Sequence, residues 1–172
     1  MVVDGRISLA KLHHFIQAAM GWSDCHLHEF VINDIRYSPP LSAADLQDDL
    51  PSKDDRKTKL NILFADEGQY LYRYDFGDNW LHVITVESIK QTGQDTAGMA
   101  WLVDGARACP PEDVGGIQGY HDFLETLLAS PNSDAGQALL QWAGGIFDPE
   151  LFDRRAANAA ILRMICNSWG GK

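Results

Sequence analysis

Ser8 stands ahead of a run in which Leu9, Leu12, Ile16, Ala19 and Met20 recur at helical spacing, and Gly21 closes it. That pattern predicts a capped amphipathic helix of about three turns. After the Trp22-Ser23-Asp24 corner the period falls to two, with His26, His28, Phe30 and Ile32 alternating with Leu27, Glu29 and Val31. This predicts a strand with a histidine-bearing face. Ser38-Pro39-Pro40 breaks it, and the charged stretch to Lys59 is expected as a long surface loop with room for one helical turn around Ala43 to Leu46.

The strongest pattern is YLYRYDFGDNWLHVITVE, from Tyr70 to Glu87. Tyr70, Tyr72, Tyr74 and Phe76 share one face by period two, and Trp80, His82, Ile84 and Val86 share one face of a return strand. A three-residue turn at Gly77-Asp78-Asn79 puts both sets on the same side and pairs Phe76 with Trp80 and Tyr74 with His82. Gly77 and Asn79 suit the positive φ such a turn requires.

Gln91 to Gly98 is polar and reads as a loop, and Trp101 to Val103 could add a short strand before CPPEDVGG. From Tyr120 onward helices are expected, with Phe123, Leu124, Leu127 and Leu128 as one apolar stripe and Ala135 to Trp142 as a second. Asp148-Pro149 has the form of a helix start. A last run to about Trp169 would carry Ala159, Leu162, Ile165, Cys166 and Trp169 on one side. Strands first and helices after predict an α+β fold. Its antiparallel sheet would centre on the aromatic hairpin (about 70–76 and 80–90), with an N-terminal amphipathic helix and C-terminal helices on the sheet. Residues 1–172 are expected to form one domain.

Composition narrows the function classes. With 172 residues, 45% hydrophobic and 22% charged, the chain can bury a core without staples. Three well-separated cysteines, Cys25, Cys109 and Cys166, with no CxxC, speak against a disulfide framework or zinc ribbon and for a reducing, cytoplasmic setting. No apolar run approaches membrane-spanning length, so no membrane partner is expected. A net charge of −10 disfavours nucleic acid, and the basic Lys53, Arg56, Lys57 and Lys59 are interleaved with Asp54 and Asp55.

Candidate chemistry gathers at two places. Asp75, Asp78 and His82 lie on or beside the hairpin, with Glu87 at its end; Glu112 and Asp113 lie in the CPPED segment ahead of Gly115-Gly116. Carboxylates with imidazole suit general acid–base work or a hard divalent metal, the one cofactor these residues could hold, though none is required. The alternatives stay open: Asp78 as a turn residue, Asp75 capping the turn or pairing with Arg73, His82 as a satisfied core histidine, and Glu112 or Asp113 as a helix cap. His26 and His28 form a two-nitrogen clip that would need His82 or Asp78 to complete a metal site. Cys109 has no sequence-local base and reads as an inert thiol.

Four segments in order, LAKLHHFIQAAMGWSDCHLHEF, YRYDFGDNWLHVITVE, CPPEDVGGIQGYHDFLE and FDPELFD, resemble the plasmid pRi open-reading-frame-three-like family. Tyr74, Phe76, Gly77, Trp80, Glu87, Pro110, Pro111, Gly115, Gly116 and Tyr120 carry the resemblance. It implies an α+β fold and no particular activity. Members are often labelled resolvase-like passenger proteins of insertion elements, yet no serine here sits among clustered arginines as recombination chemistry needs. Relatives usually have a further strand before the first helix. Its apparent absence would leave a sheet edge open to a second copy of the chain. Three readings follow: a non-catalytic binding or interaction module for a protein or small molecule, associated with mobile elements; a metal-assisted hydrolase at the hairpin tip and CPPED loop; and a DNA-associated accessory protein, disfavoured by charge.

Overall fold

The computed structural model describes residues 1–40, 50–64, 67–91 and 99–167. A short strand, β1 (Val2–Val3), leads to the Ser8 cap, whose hydroxyl oxygen accepts from the Lys11 amide at 3.2 Å. Helix α1 (Leu9–Met20) follows and ends at Gly21, where a φ of 87° lets the amide donate to the Gln17 carbonyl at 2.8 Å. Leu9, Leu12, Phe15 and Ala18 are buried, and Ile16, Ala19 and Met20 pack against them half-buried. Two polar side chains, His13 and Gln17, are buried on the same helix.

Strand β2 (His28–Ile32) turns back at Asn33-Asp34 into β3 (Ile35–Ser38). Both turn residues have positive φ, 51° and 58°, as a two-residue hairpin turn that follows the twist of its strands demands. Within the stretch expected as loop to Lys59, residues 50–59 are more ordered than their charges suggest. β4 (Ser52–Asp54) pairs in parallel with β3, a single 3-10 turn spans Asp55–Lys57, and α2 (Leu60–Leu63) follows. The sheet is therefore mixed rather than antiparallel throughout. The helical turn expected at Ala43 to Leu46 lies outside the described residues.

The aromatic hairpin is β5 (Gly68–Tyr74) and β6 (Trp80–Val86). Its register differs from expectation by two residues: Tyr74 pairs with Trp80 and Tyr72 with His82. The loop thus runs from Asp75 to Asn79. Face parity survives, because adding two residues leaves an odd loop, and Tyr72, Tyr74 and Trp80 are buried together. The longer loop exists because Asp75 leaves the strand at φ 53° and its Oδ1 accepts from the amides of Gly77 at 2.9 Å and Asp78 at 3.3 Å. Asn79 takes positive φ as expected; Gly77 does not, and Asp75 takes that role. Phe76 leaves the strand and lies under the Arg73 guanidinium, 4.5 Å from ring centroid to carbon. Arg73 pairs with Glu29 at 2.6 Å instead of with Asp75, and Glu29 also accepts from Arg36 Nε at 2.6 Å.

The five-stranded order is β4-β3-β2-β5-β6. β7 (Ala100–Trp101) pairs separately with β1. The C-terminal part is helical: α3 (Gly116–Ala129), α4 (Asp134–Trp142) and α5 (Arg154–Cys166). On α3, Phe123 is buried, whereas Leu128 is 77% exposed and drops out of the expected stripe. Asp148 caps only a turn through Leu151; α5 starts later, where Asp153 Oδ1 accepts from Arg155 and Ala156 amides, both at 2.9 Å. The buried face of α5 is Ala157 and Ile161 beside Met164, and Leu162 is 56% exposed. The expected face is thus rotated, because α5 packs along α1. Trp169 lies outside the described residues. No helix among them is long and apolar enough to cross a membrane.

Phe30 sits fully buried at the sheet centre, its ring 4.9 Å from that of Tyr72. Phe30→Ala is expected to lower unfolding free energy by about 3–5 kcal/mol. Leu81→Ala, at a position 57% exposed on the other face of the hairpin, should change it by about 0.5 kcal/mol or less. Urea titrations of both variants would check the contrast.

Candidate functional site

Two polar constellations meet where the end of α1, the start of β2 and the hairpin loop come together. The inner one is organised by Tyr72 on β5. Its hydroxyl accepts from Gln17 Nε2 at 3.0 Å, leaving its proton for His13 Nδ1 at 2.8 Å. His13 must then carry its own proton on Nε2, which reaches Asp24 Oδ1 at 2.6 Å. Asp24, held at φ 58°, also takes His14 Nδ1 on its other oxygen at 2.9 Å. Behind this chain His28 stacks on His13, ring centroids 3.4 Å apart and nearly parallel, and its Nε2 binds Asp55 Oδ2 at 2.9 Å. Asp55 is fully buried and its second oxygen has no partner.

Burial dominates the protonation of this cluster. It pushes His13 from 6.5 down to about 4, against the pull of Asp24 and assisted by the neighbouring His28. His13 is therefore neutral at physiological pH. Burial also works against the Asp24 carboxylate, but hydrogen bonds from His13 and His14 outweigh it and hold that carboxyl below the usual carboxylate range. Burial raises Tyr72, so its phenol stays protonated. A pocket of ≈ 250 Å³ is walled by His13, His14, Asp24, His26, His28 and Asp55 among others.

The outer constellation centres on His26, two residues before β2. Its Nε2 faces three carboxylates: Asp113 Oδ1 at 3.2 Å, Asp75 Oδ2 at 3.6 Å and Glu112 Oε2 at 3.9 Å. The nitrogen is buried and makes no hydrogen bond. Two of the carboxylates are tied back by their other oxygen. Asp75 Oδ1 caps the hairpin loop, and the Asp75 amide donates to Leu27 O at 2.9 Å. Glu112 Oε1 accepts from the Ser23 amide at 2.8 Å, the Ser23 hydroxyl at 3.0 Å and the Tyr74 hydroxyl at 3.1 Å. The Trp22 indole, donating to Pro110 O at 3.0 Å, pins the CPPED loop to the end of α1. Asp113, like Asp75, is a non-glycine residue at positive φ, 57°.

Of the residues singled out by sequence, the structure gathers Asp75, Glu112 and Asp113 with His26. Asp78 is nearby but committed: its Oδ2 accepts from the Gly115 amide at 3.0 Å. This contact joins hairpin tip to CPPED loop, and Gly116 is required beside it because a Cβ there would lie 2.5 Å from the Asp78 carbonyl oxygen. Glu112 and Asp113 do not cap α3, whose N-cap is Gly115 with no side-chain bond. His82 is not at this site. It packs at 5.6 Å from Trp22 and 5.5 Å from Tyr72, and burial lowers its pKa. His28 belongs to the inner cluster rather than to a clip with His26. Glu87 lies exposed beyond β6, Tyr120 packs edge-on to Trp80, and burial pushes the Cys109 thiol up to about 12.

The reading by pattern did not single out His13, Asp24 or Asp55. One signal for the first existed: His13 and Gln17, four apart, interrupt the apolar face of α1, and polar residues so placed need partners. Asp24 and Asp55 offer no such signal, since each sits in a polar turn.

The inner cluster makes stability depend on pH in a defined direction. The unfolded chain binds the His13 proton near 6.5 and the folded chain only near 4, so stability should fall as pH drops through that window, by on the order of 3 kcal/mol. Urea midpoints measured between pH 7 and 4 should show a shallower decline in His13→Gln than in the unaltered protein.

Comparison with known proteins gives a consistent picture. The chain is 35% identical over 174 aligned positions to the uncharacterised protein y4hQ of Sinorhizobium fredii, covering 100% of this chain and 84% of that one. The crystal structure of MM3350 from Methanosarcina mazei Go1, a protein of unknown function, superposes with a TM-score of 0.68 at 30% identity, covering 90% of this chain and 84% of that one. The model of the plasmid pRiA4b ORF-3-like proteins matches residues 1–156, and the chain belongs to that family.

Proposed function

We propose that this chain is a divalent-metal protein whose centre is His26 with the carboxylates of Asp75 and Asp113, and with Glu112 beside the same imidazole. One observation carries the reading: three carboxylate oxygens stand 3.2–3.9 Å from a buried imidazole nitrogen that makes no hydrogen bond. A hydrogen bond would close to about 2.9 Å with the N–H aimed at its acceptor. Ligand atoms each roughly 2.1 Å from a shared ion stand roughly 3–3.5 Å from one another. Asp113 at 3.2 Å and Asp75 at 3.6 Å lie near the second arrangement, with ligand atoms of His26, Asp75 and Asp113 within 4.8 Å of one another, and a cation there relieves repulsion between the two carboxylates. Back-bonding of Asp75 and Glu112 through their remaining oxygens is what orients first ligands in metal sites.

A metal held here would act as a Lewis acid. The Asp113 side chain is 70% exposed, which leaves the outer side of the centre open to water. An ion with protein ligands on one side and water on the other suits metal-assisted hydrolysis. Because the ligands come from three separate segments, the same ion would also cross-link them, which supports a non-catalytic binding module as the second reading. The net charge of −10 points both readings away from nucleic acid.

The test is thermal unfolding of chelator-stripped protein with added Mn²⁺, Co²⁺ or Zn²⁺. At a hundredfold excess over the dissociation constant, binding adds about 2.7 kcal/mol, a rise in Tm of about 5–10 °C for a chain of this size. His26→Ala and Asp113→Asn should lose the rise while keeping their metal-free Tm within a few degrees. Absence of bound metal after purification, with Tm unmoved by all three ions, overturns the reading. Turnover of chromogenic esters or phosphoesters by the metal-loaded protein then separates hydrolase from binding module.

A further inference from the structure

We infer that Cys25 supplies a sulfur ligand to this centre and makes it selective for a thiophilic transition metal, Zn²⁺ or Co²⁺, over Mg²⁺ or Ca²⁺. The inference rests on the metal reading above and adds to it the identity of the ion. Cys25 Sγ, a ring nitrogen of His26 and a carboxylate oxygen of Glu112 lie within 4.8 Å of one another. This triad overlaps the one formed by His26, Asp75 and Asp113, and His26 is common to both. Two adjacent pairs thus face each other, Cys25-His26 from the approach to β2 and Glu112-Asp113 from the CPPED loop. The Cys25–His26–Glu112 triad by itself offers one sulfur, one nitrogen and one carboxylate oxygen, three protein donors that leave the fourth position of a tetrahedral zinc to water.

The backbone beside the thiol is tied to the same residues that orient Glu112. The Cys25 amide donates to the Tyr74 hydroxyl at 3.2 Å, and that hydroxyl donates to Glu112. The Ser23 hydroxyl reaches Cys25 Sγ at 3.2 Å and Glu112 Oε1 at 3.0 Å, so one outer side chain lies against both ligands. Cys25 is exposed and free, so its sulfur is accessible to an ion from solvent. Hard cations favour six to eight oxygens or retained waters, and an imidazole with a thiolate serves them poorly. Zinc and cobalt accept both donors, and binding would release the thiol proton to solvent.

Cobalt absorption decides the matter on the full-length, reduced, chelator-stripped chain. Co²⁺ should produce a thiolate-to-cobalt charge-transfer band in the near ultraviolet together with the intense visible bands of a four-coordinate ion. Excess Mg²⁺ should not remove them, and stoichiometric Zn²⁺ should. Cys25→Ser should abolish the near-ultraviolet band and weaken Zn²⁺ binding by at least the roughly tenfold that loss of even an outer partner costs. Cys166→Ser, at another exposed thiol, should leave the spectrum unchanged. Co²⁺ bound without the charge-transfer band, or a spectrum indifferent to Cys25→Ser, overturns sulfur ligation and leaves the imidazole–carboxylate centre standing. Failure of the unaltered chain to bind any of Co²⁺, Zn²⁺ and Mn²⁺ overturns the centre itself, and binding of Mn²⁺ alone overturns the preference for a thiophilic ion.

Discussion

Glu112 is the side chain on which the arrangement of the site depends. One of its oxygens accepts three hydrogen bonds, two from Ser23 and one from Tyr74, while the other turns toward His26. Hydrogen bonds to a charged acceptor are the stronger kind, and three on one oxygen fix the carboxylate in both position and rotation. The loop carrying Glu112 has no regular structure of its own. Without that anchor, and the Trp22 indole on Pro110, Asp113 would have no defined relation to His26. Tyr74 serves twice, with its ring in the core and its hydroxyl at the site, so the hairpin supplies both the packing and a hydrogen bond that orients the Glu112 carboxylate.

The inner cluster shows how an interior can carry this much polarity. His13, Gln17, Tyr72 and Asp24 form a continuous chain in which each buried donor meets an acceptor, so the cost of taking them from water is met bond by bond. The stacked His13 and His28 rings tolerate their 3.4 Å spacing because His13 is neutral. On the other face of the sheet Glu29 lies buried between Arg36 and Arg73, which places a second charged arrangement opposite the first. One face of β2 thus carries His28 together with the core residues Phe30 and Ile32, and the other the ion triad of Glu29.

Much of the fold was legible where a local rule governs. The Ser8 and Gly21 caps bound α1 as expected, and the alternation of Tyr72 and Tyr74 with Trp80 and His82 put the right side chains on one face. The register was not legible, because it depends on Asp75 adopting positive φ; its capping of the loop stood among the open readings, but nothing in the sequence chose it over pairing with Arg73. The β4 strand was hidden for a different reason. Its three residues, Ser52-Lys53-Asp54, owe their conformation to pairing with β3 rather than to any propensity. At the candidate site the split is similar. Acidic residues beside special turns marked Asp75, Glu112 and Asp113, whereas the choice of His26 over His82 as their neighbour is decided by how strand and loop lengths bring segments together in space.

The Ser23–Glu112 contact joins residues 89 apart in sequence, and the Asp78–Gly115 contact joins residues 37 apart. Closing spans of that length carries an entropic cost that only a largely formed sheet can offset. Contacts of that span are expected to close after the local contacts of α1 and the hairpin. Interactions formed after the rate-limiting barrier leave the speed of folding almost untouched and act on the speed of unfolding. Whatever occupies the centre would work as a latch, slow to matter on the way in and decisive for how long the closed chain stays closed.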